Sequence, residues 1–283
     1  MSAIPSARGR AMANPLSRNK LFSVYKLPGF TFIAIACFLM LYAPIFTLVG
    51  YSFNSGTSLA LWEGFSIRWY FSAWDNDKVQ EATLLSLIVA LQAALYSTIL
   101  ATMAALGTTR TRPFRGQTAI YTMINQPLMV PEIVTAVALL IVFATIKQAT
   151  GHQGLIYLVA SHTAFCIPFA YLPIRARLED MDTTLETAAA DLYATPWRSF
   201  RHVTLPLLWP GILGGAMLAF VISLDDVVIT EFVKSAGQDT LPTYMLGQLR
   251  RVITPEMNAI ASALLAVSII LVSLIFLLNR KKS

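Results

Sequence analysis

The chain of 283 residues is 56% hydrophobic and only 13% charged, with a mean hydropathy of +0.62. That is too apolar for a soluble domain, whose helices need one polar face. Its net charge of +6 would suit a nucleic-acid binder, but Lys and Arg fall in short clusters between apolar segments, which excludes nucleic acid as a partner and fits a lipid bilayer. Two cysteines, Cys37 and Cys166, lie in apolar segments. They exclude a disulfide framework and a thiolate metal site, and read as small buried hydrophobes.

Residues 1–28 carry Arg8, Arg10, Arg18, Lys20 and Lys26 with little apolar periodicity, and are expected to form a loose cytoplasmic tail. The first membrane span is expected over 29–53, too long for a cleaved signal and so a retained anchor. Residues 54–80 hold Trp62, Trp69, Tyr70, Phe71 and Trp74. Such a density of amphipathic rings predicts an exposed interfacial belt on the outer side, serving as an anchor or as a contact for an outside partner. Further spans are expected over 81–107, 119–146, 155–173, 207–229 and 254–278. The third contains Pro127 and Pro131, and the fourth Pro168 and Pro173; prolines in membrane helices often mark kinks that line a path. Residues 230–253 are polar and have room for a short surface helix; Thr254-Pro255-Glu256 then starts the last span as N-cap, first-turn proline and first-turn acid.

Six spans put both ends on one side of the membrane. Fifteen of the twenty-one Lys and Arg then fall inside; only Arg68, Lys78, Lys147, Lys234, Arg250 and Arg251 fall outside. The asymmetry predicts an all-α integral membrane protein with both termini in the cytoplasm. No internal repeat is evident.

A polar island interrupts the hydrophobic pattern at 183–206. Thr183 and Glu186 have the spacing of a capping box, with Leu185, Ala188, Ala189 and Leu192 on one face of the helix it would start. Thr195 followed by Pro196 predicts a second short helix with Trp197, Phe200 and Val203 or Thr204 as its stripe and Arg198, Arg201 and His202 facing solvent. Leu205-Pro206 is expected to end it, because proline lacks the N–H to continue.

This island resembles the EAA loop of ATP-binding-cassette (ABC) transporter permeases: E-A-A, three residues, Gly, nine residues, then a hydrophobic-x-Leu-Pro ending. Ala188 and Ala189 match the two alanines, Asp191-Leu192-x-Ala194 the core, and Val203-Thr204-Leu205-Pro206 the end. The family's Glu position holds Thr187, with Glu186 one residue early, and its Gly position holds Tyr193. The segments PLMVPEIV around Glu132, HTAFCIPFAYLPIRARL at 162–178, ISLDDVVIT at 222–230 and TPEMNAIAS at 254–262 are similar to the spermidine/putrescine (PotC-type) branch. The likeness runs from the first span to the last. It implies the six-span type I importer (MetI-like) fold, in a bacterial inner membrane, with Glu186, Thr187, Ala188, Ala189, Asp191, Leu192, Tyr193, Ala194, Phe200, Leu205 and Pro206 docking a separate ATPase. It also implies a second, related permease and a solute-binding protein outside.

The chain has no G-x-x-x-x-G-K-[S/T] phosphate loop, so it is not expected to be an enzyme or to bind a cofactor; ATP and Mg would belong to the partner. His152, His162 and His202 stand apart from any carboxylate or cysteine at ligand spacing, and His162 reads as a helix–helix hydrogen-bonding residue. Glu132 near the middle of the third span, and Asp225 and Asp226 toward the outer end of the fifth, are the acids at membrane depth. Each costs on the order of 3 kcal/mol there. With no basic residue in these spans, a cationic solute such as a polyamine would neutralise them. The alternatives are an importer subunit for another small solute, amino-acid-like or opine-like; an ion-gradient transporter using Glu132 or Asp226; or a membrane scaffold.

Overall fold

The computed structural model describes residues 29–58, 61–152, 154–251 and 254–280, with side chains described as far as residue 274. The tail at 1–28 and residues 281–283 lie outside the described residues. Two compact units result, residues 1–48 and 49–283. In the first, helix α1 (Phe30–Tyr51) is apolar all round and has no buried residue. Cys37 is therefore exposed rather than buried as expected; a helix that faces lipid needs no protein cover for its apolar side chains.

The rest of the chain forms α2 (Arg68–Asp75), α3 (Asp77–Thr109), α4 (Gln117–Met129), α5 (Glu132–Thr150), α6 (Ile156–Asp180), α7 (Thr184–Asp191) and α8 (Pro196–Ser199). A π-helical turn, Phe200–Thr204, leads into α9 (Leu205–Asp225), followed by α10 (Val228–Val233), α11 (Leu241–Leu249) and α12 (Pro255–Arg280). Among the described residues, six segments are long and apolar enough to cross a membrane: α1, α3, α5, α6, the run Pro196–Asp225 and the Pro255–Leu274 part of α12.

The core is a packed trio of α3, α6 and α9. Lipid supplies no hydrophobic drive between helices, so close approach must come from small side chains. Helix α3 buries Ala90, Ala93, Ala94, Ser97, Ala101 and Ala105 along one stripe. Helix α9 meets α6 through Gly211, Gly215 and Ala219. A methyl group at Gly215 would lie 2.7 Å from the Ala170 carbonyl oxygen, and one at Gly211 would lie 2.7 Å from the Arg177 Cβ. The Cys166 thiol donates to the Ala219 carbonyl at 3.5 Å. Rising positions on α6 thus meet falling positions on α9, which fixes an antiparallel register with the two backbones almost touching.

The third expected span, 119–146, is not one helix. It breaks at Val130-Pro131, where Val130 is extended (φ −103°, ψ 140°) and caps α4. Proline cannot donate the next bond and pushes its predecessor out of the helical region. Glu132 is consequently the first residue of α5 instead of a mid-helix charge, and a carboxylate is favoured in the first turn by the unpaired N–H groups there.

The aromatic segment before α3 is a folded cap and not a loose loop. The Asn54 side chain is fully buried; its amide donates to the Leu61 carbonyl at 2.7 Å and its oxygen accepts from the Glu63 amide at 2.9 Å. The Trp69 indole donates to the Asn54 carbonyl at 2.9 Å. Trp62, Phe71 and Trp74 remain exposed, as an interfacial belt requires. A smaller apolar cluster ties this end together through Ala73, Val79, Ala82, Leu241, Met257 and Ile260, with the Ser86 hydroxyl accepting the Leu241 amide at 2.7 Å.

Candidate functional site

Two polar regions stand out against the apolar bundle: the 183–206 segment, and a buried cluster where α9 gives way to α10.

Helix α7 starts differently from its sequence signature. Thr183 makes no side-chain cap; the Asp182 carboxylate accepts the Thr184 amide instead, at 2.9 Å. Bonds from the Thr184 side chain and amide hold the Asp182 carboxyl below the usual carboxylate range. The expected capping box is absent because Glu186 is engaged elsewhere. Its Oε1 accepts Arg110 Nε at 3.2 Å and the Thr204 hydroxyl at 3.0 Å, and its Oε2 lies 3.1 Å from Arg110 Nε.

The end of α7 shows how tyrosine replaces glycine. The Tyr193 amide donates to the Ala190 carbonyl at 2.9 Å and the Ala194 amide to the Ala189 carbonyl at 3.0 Å, the paired bonds of a Schellman cap. Tyr193 takes φ +56°, the one positive φ among the described non-glycine residues, and strain of this kind costs about 1 kcal/mol or more. The turn that glycine would make is kept, with the ring 95% exposed.

The Thr195 hydroxyl accepts the Arg198 amide at 3.4 Å and Pro196 takes the first turn. Leu205-Pro206, however, does not end the helix. The Leu205 amide reaches back five residues to the Phe200 carbonyl, and α9 continues to Asp225. The wider turn makes room for the Pro206 ring, which in a regular α-helix would strike the carbonyl four residues earlier. The segment is therefore a short helix, a tight turn, and the extended start of the helix containing α9.

The docking residues expected from sequence split into two sides. Thr187, Ala188, Asp191, Leu192, Tyr193 and Pro206 are exposed, Leu192 by 82%. Glu186, Ala189, Ala194, Phe200 and Leu205 are half-buried. Trp197 is 66% exposed and packs against Phe200 in a tilted pair with ring centroids 5.6 Å apart.

In the second region, Asp226 ends α9 and caps α10. Its carboxylate accepts the Ile229 amide at 3.2 Å, the Thr230 amide at 2.9 Å and the Thr230 hydroxyl at 2.9 Å. It lies 3.5 Å from His162 Nε2, both side chains being 1% exposed. His162 Nδ1 is 2.8 Å from the Ser223 hydroxyl and Nε2 is 2.9 Å from that of Thr230. The Glu132 carboxyl faces Asp226 across the gap between α5 and α10. Asp225 is exposed and joins none of these contacts. The three acids expected to act together are thus a facing pair, Glu132 and Asp226, and a separate third. His162 is not isolated from carboxylates as its sequence neighbourhood implies. Its helix–helix hydrogen-bonding role holds, with partners 61 and 68 residues further along the chain, a distance no local spacing rule covers. Among the described residues no group of three or more His, Cys, Asp or Glu has the arrangement of a metal site.

A set of membrane-length helices with a core packed through small residues, a two-helix polar loop and interrupted helices meeting at a buried polar cluster is the build of a transport subunit. The chain belongs to the family of binding-protein-dependent transport system inner membrane components, whose model matches residues 97–282. It is a multi-pass membrane permease of the ABC importer class, with the MetI-like fold. It is 39% identical over 254 residues, 89% of this chain and 88% of the other, to the putrescine transport system permease protein PotI of Escherichia coli (strain K12). It is 36% identical over 255 residues, 90% of this chain and 96% of the other, to the spermidine/putrescine transport system permease protein PotC of Haemophilus influenzae. Among solved structures, a bacterial ABC transporter involved in the import of the acidic polysaccharide alginate superimposes with a TM-score of 0.65 at 16% identity, covering 89% of this chain and 94% of that one; that likeness speaks to the fold alone.

Proposed function

We infer that the protein is one of two related permeases in a bacterial inner-membrane importer for polyamines, putrescine or spermidine, with both of its ends inside. A separate pair of ATPases binds ATP and Mg, and a solute-binding protein delivers the polyamine from outside. The ATPases dock on residues 183–206. The observation that carries this reading is the two-sided loop: Leu185, Leu192, Tyr193 and Trp197 are 50–95% exposed, while on the opposite side Glu186 pairs with Arg110 at the end of α3. A loop with no partner has no reason to hold four large apolar side chains in water. The two permeases named above, matched over nearly the whole length, support the polyamine.

Closure of the ATPases pushes the loop, and the bundle rearranges between outward- and inward-open forms. Glu132, Asp225 and Asp226 supply negative charge along the path of a polycation. The test is co-purification followed by reconstitution. Tagged chain is expected to bring down an ATPase and a second permease, and vesicles holding the complex are expected to take up radiolabelled putrescine only when ATP is enclosed. Uptake by this chain alone under an ion gradient would overturn the reading.

A further inference from the structure

The cytoplasmic ends of all three core helices converge on one ion pair. Arg110 is the C-cap of α3, its amide closing on the Leu106 carbonyl. Its guanidinium donates through Nε to Glu186 on α7 at 3.2 Å, and through Nη2 to the Leu178 carbonyl in the last turn of α6 at 2.9 Å. Glu186 in turn accepts the hydroxyl of Thr204, the last residue of the π turn that feeds α9. Arg110 and Glu186 are each 21% exposed, so water screens the pair less than a surface ion pair, and its bonds are of the stronger charge-assisted kind.

The choice of residue matters. A guanidinium has a rigid fork that serves two acceptors at once, whereas lysine would supply charge from a single point. Nearby Arg112 and Arg115 are exposed, so Arg110 alone among the three arginines of its loop is turned into the bundle. The outer face of α7 is open, while its inner face is joined through Glu186 to α3, α6 and α9 together.

We propose that Arg110 and Glu186 are positioning residues for coupling: a strut that makes α7 and the core trio move as one body when the loop is pushed. Without the strut, α7 shifts against its flexible connections and the push is dissipated before it reaches the bundle. The inference rests on the ATPase-docking reading of residues 183–206, and the experiment separates the two.

The intact complex, in nanodiscs and in vesicles, is prepared with Arg110→Lys, Arg110→Ala and Glu186→Gln. Three quantities are read: ATPase captured per permease, ATP hydrolysed, and putrescine imported per ATP. In the two Arg110 variants, which lie outside the docking segment, capture and hydrolysis are expected to stay within about twofold, while import per ATP falls roughly tenfold in Arg110→Ala and Glu186→Gln, the scale of losing one charge-assisted hydrogen bond. Arg110→Lys keeps the charge without the fork and is expected to fall between these variants and the parent. Spin labels at exposed positions 112 and 190 give the readout that a merely stabilising role would not move. Their separation should stay fixed between the ATP-free and ATP-bound states of the parent, and change or broaden with ATP in Glu186→Gln. Unchanged import per ATP in all three variants overturns the strut, as does loss of ATPase capture in the Arg110 variants, which would make the pair part of the docking contact. If the parent itself captures no ATPase, the docking reading fails and takes the strut with it.

Discussion

Replacing Asp226 by alanine tests whether this acid is part of the scaffold before it is part of any path. Its carboxylate caps α10 through the Ile229 and Thr230 amides, and loss of an N-cap costs about 1 kcal/mol. It also accepts the Thr230 hydroxyl and faces His162 in a site 1% exposed. Removing the shared acceptor leaves buried polar groups short of a partner, which adds about 1–3 kcal/mol. The expected loss is therefore about 2–4 kcal/mol, a drop on the order of 10 °C in midpoint for a chain of this size.

The assay is thermal unfolding of the purified protein in one detergent, followed by tryptophan fluorescence and by survival of the monodisperse peak. Asp225→Ala is the matched control: the side chain is exposed, and its removal is expected to change stability by less than about 0.5 kcal/mol. Asp226→Asn keeps one oxygen for the cap and should fall between them. Equal midpoints for Asp226→Ala and the parent, or a larger loss from Asp225→Ala, would refute the assignment of Asp226 as the buried cap.

Gly215→Val places a side chain where a methyl group would already sit 2.7 Å from the Ala170 carbonyl, and should lower stability by about 1–3 kcal/mol; Gly107→Ala on α3, with nothing within 4 Å, should be neutral or raise it by about 0.5–1 kcal/mol. Tyr193→Gly removes the strain of φ +56° and should stabilise the loop by about 1 kcal/mol, seen as slower hydrogen exchange of the Ala194 amide; faster exchange would mean that the ring holds the turn. Lys234 lies between Glu231 at 2.5 Å and Asp239 at 2.7 Å. Burial pulls its pKa down, but the two carboxylates outweigh that and hold it above the ordinary 10.5. A raised cationic pKa contributes stability that is fully present below the ordinary value and lost as pH climbs through the raised one. Lys234→Met should therefore speed hydrogen exchange across 228–249 at pH 7, with the difference from the parent shrinking above the ordinary lysine pKa; a difference that grows with alkalinity would refute it.

The six crossings were legible because each rests on a property summed over about 20 residues, which a single misjudged position does not disturb. Features that turn on one backbone bond were legible only when the bond was local. Thr195-Pro196 starts its helix in sequence and in structure. Pro131 and Pro206 were harder, since the same residue breaks one helix and is absorbed in the other. The difference is the five-residue bond from Leu205 to Phe200, and no pattern of side chains announces it. Thr183 lost the cap to Asp182, one residue earlier, because Glu186, the other half of the expected box, is held by Arg110, 76 residues away in sequence. The facing of Glu132 and Asp226, and the place of His162 beside them, depend on how α5, α6 and α10 pack; nothing within a window of one element encodes that.

On the proposed reading, in which residues 183–206 are pushed, these same interruptions give the displacement somewhere to go. From Pro196 to Asp225 the backbone is helical for 30 residues, about 45 Å at 1.5 Å per residue. It therefore reaches from the 183–206 loop to the buried acids without a break. A hydrogen-bonded helix is stiff along its axis, and here Gly211 and Gly215 seat it against α6 with no slack for sideways slip. Displacement applied at one end is then passed to the other, where the helix stops at Asp225-Asp226 and the extended backbone of Asp226 (ψ 132°) separates it from α10. The matching break at Val130-Pro131 places Glu132 across from that point. Two jointed helices facing each other at their joints can change the separation of their carboxylates while the α3–α6–α9 packing stays intact. The proposed path for a polycation needs that combination: acids whose separation changes, and a bundle that does not come apart when it does.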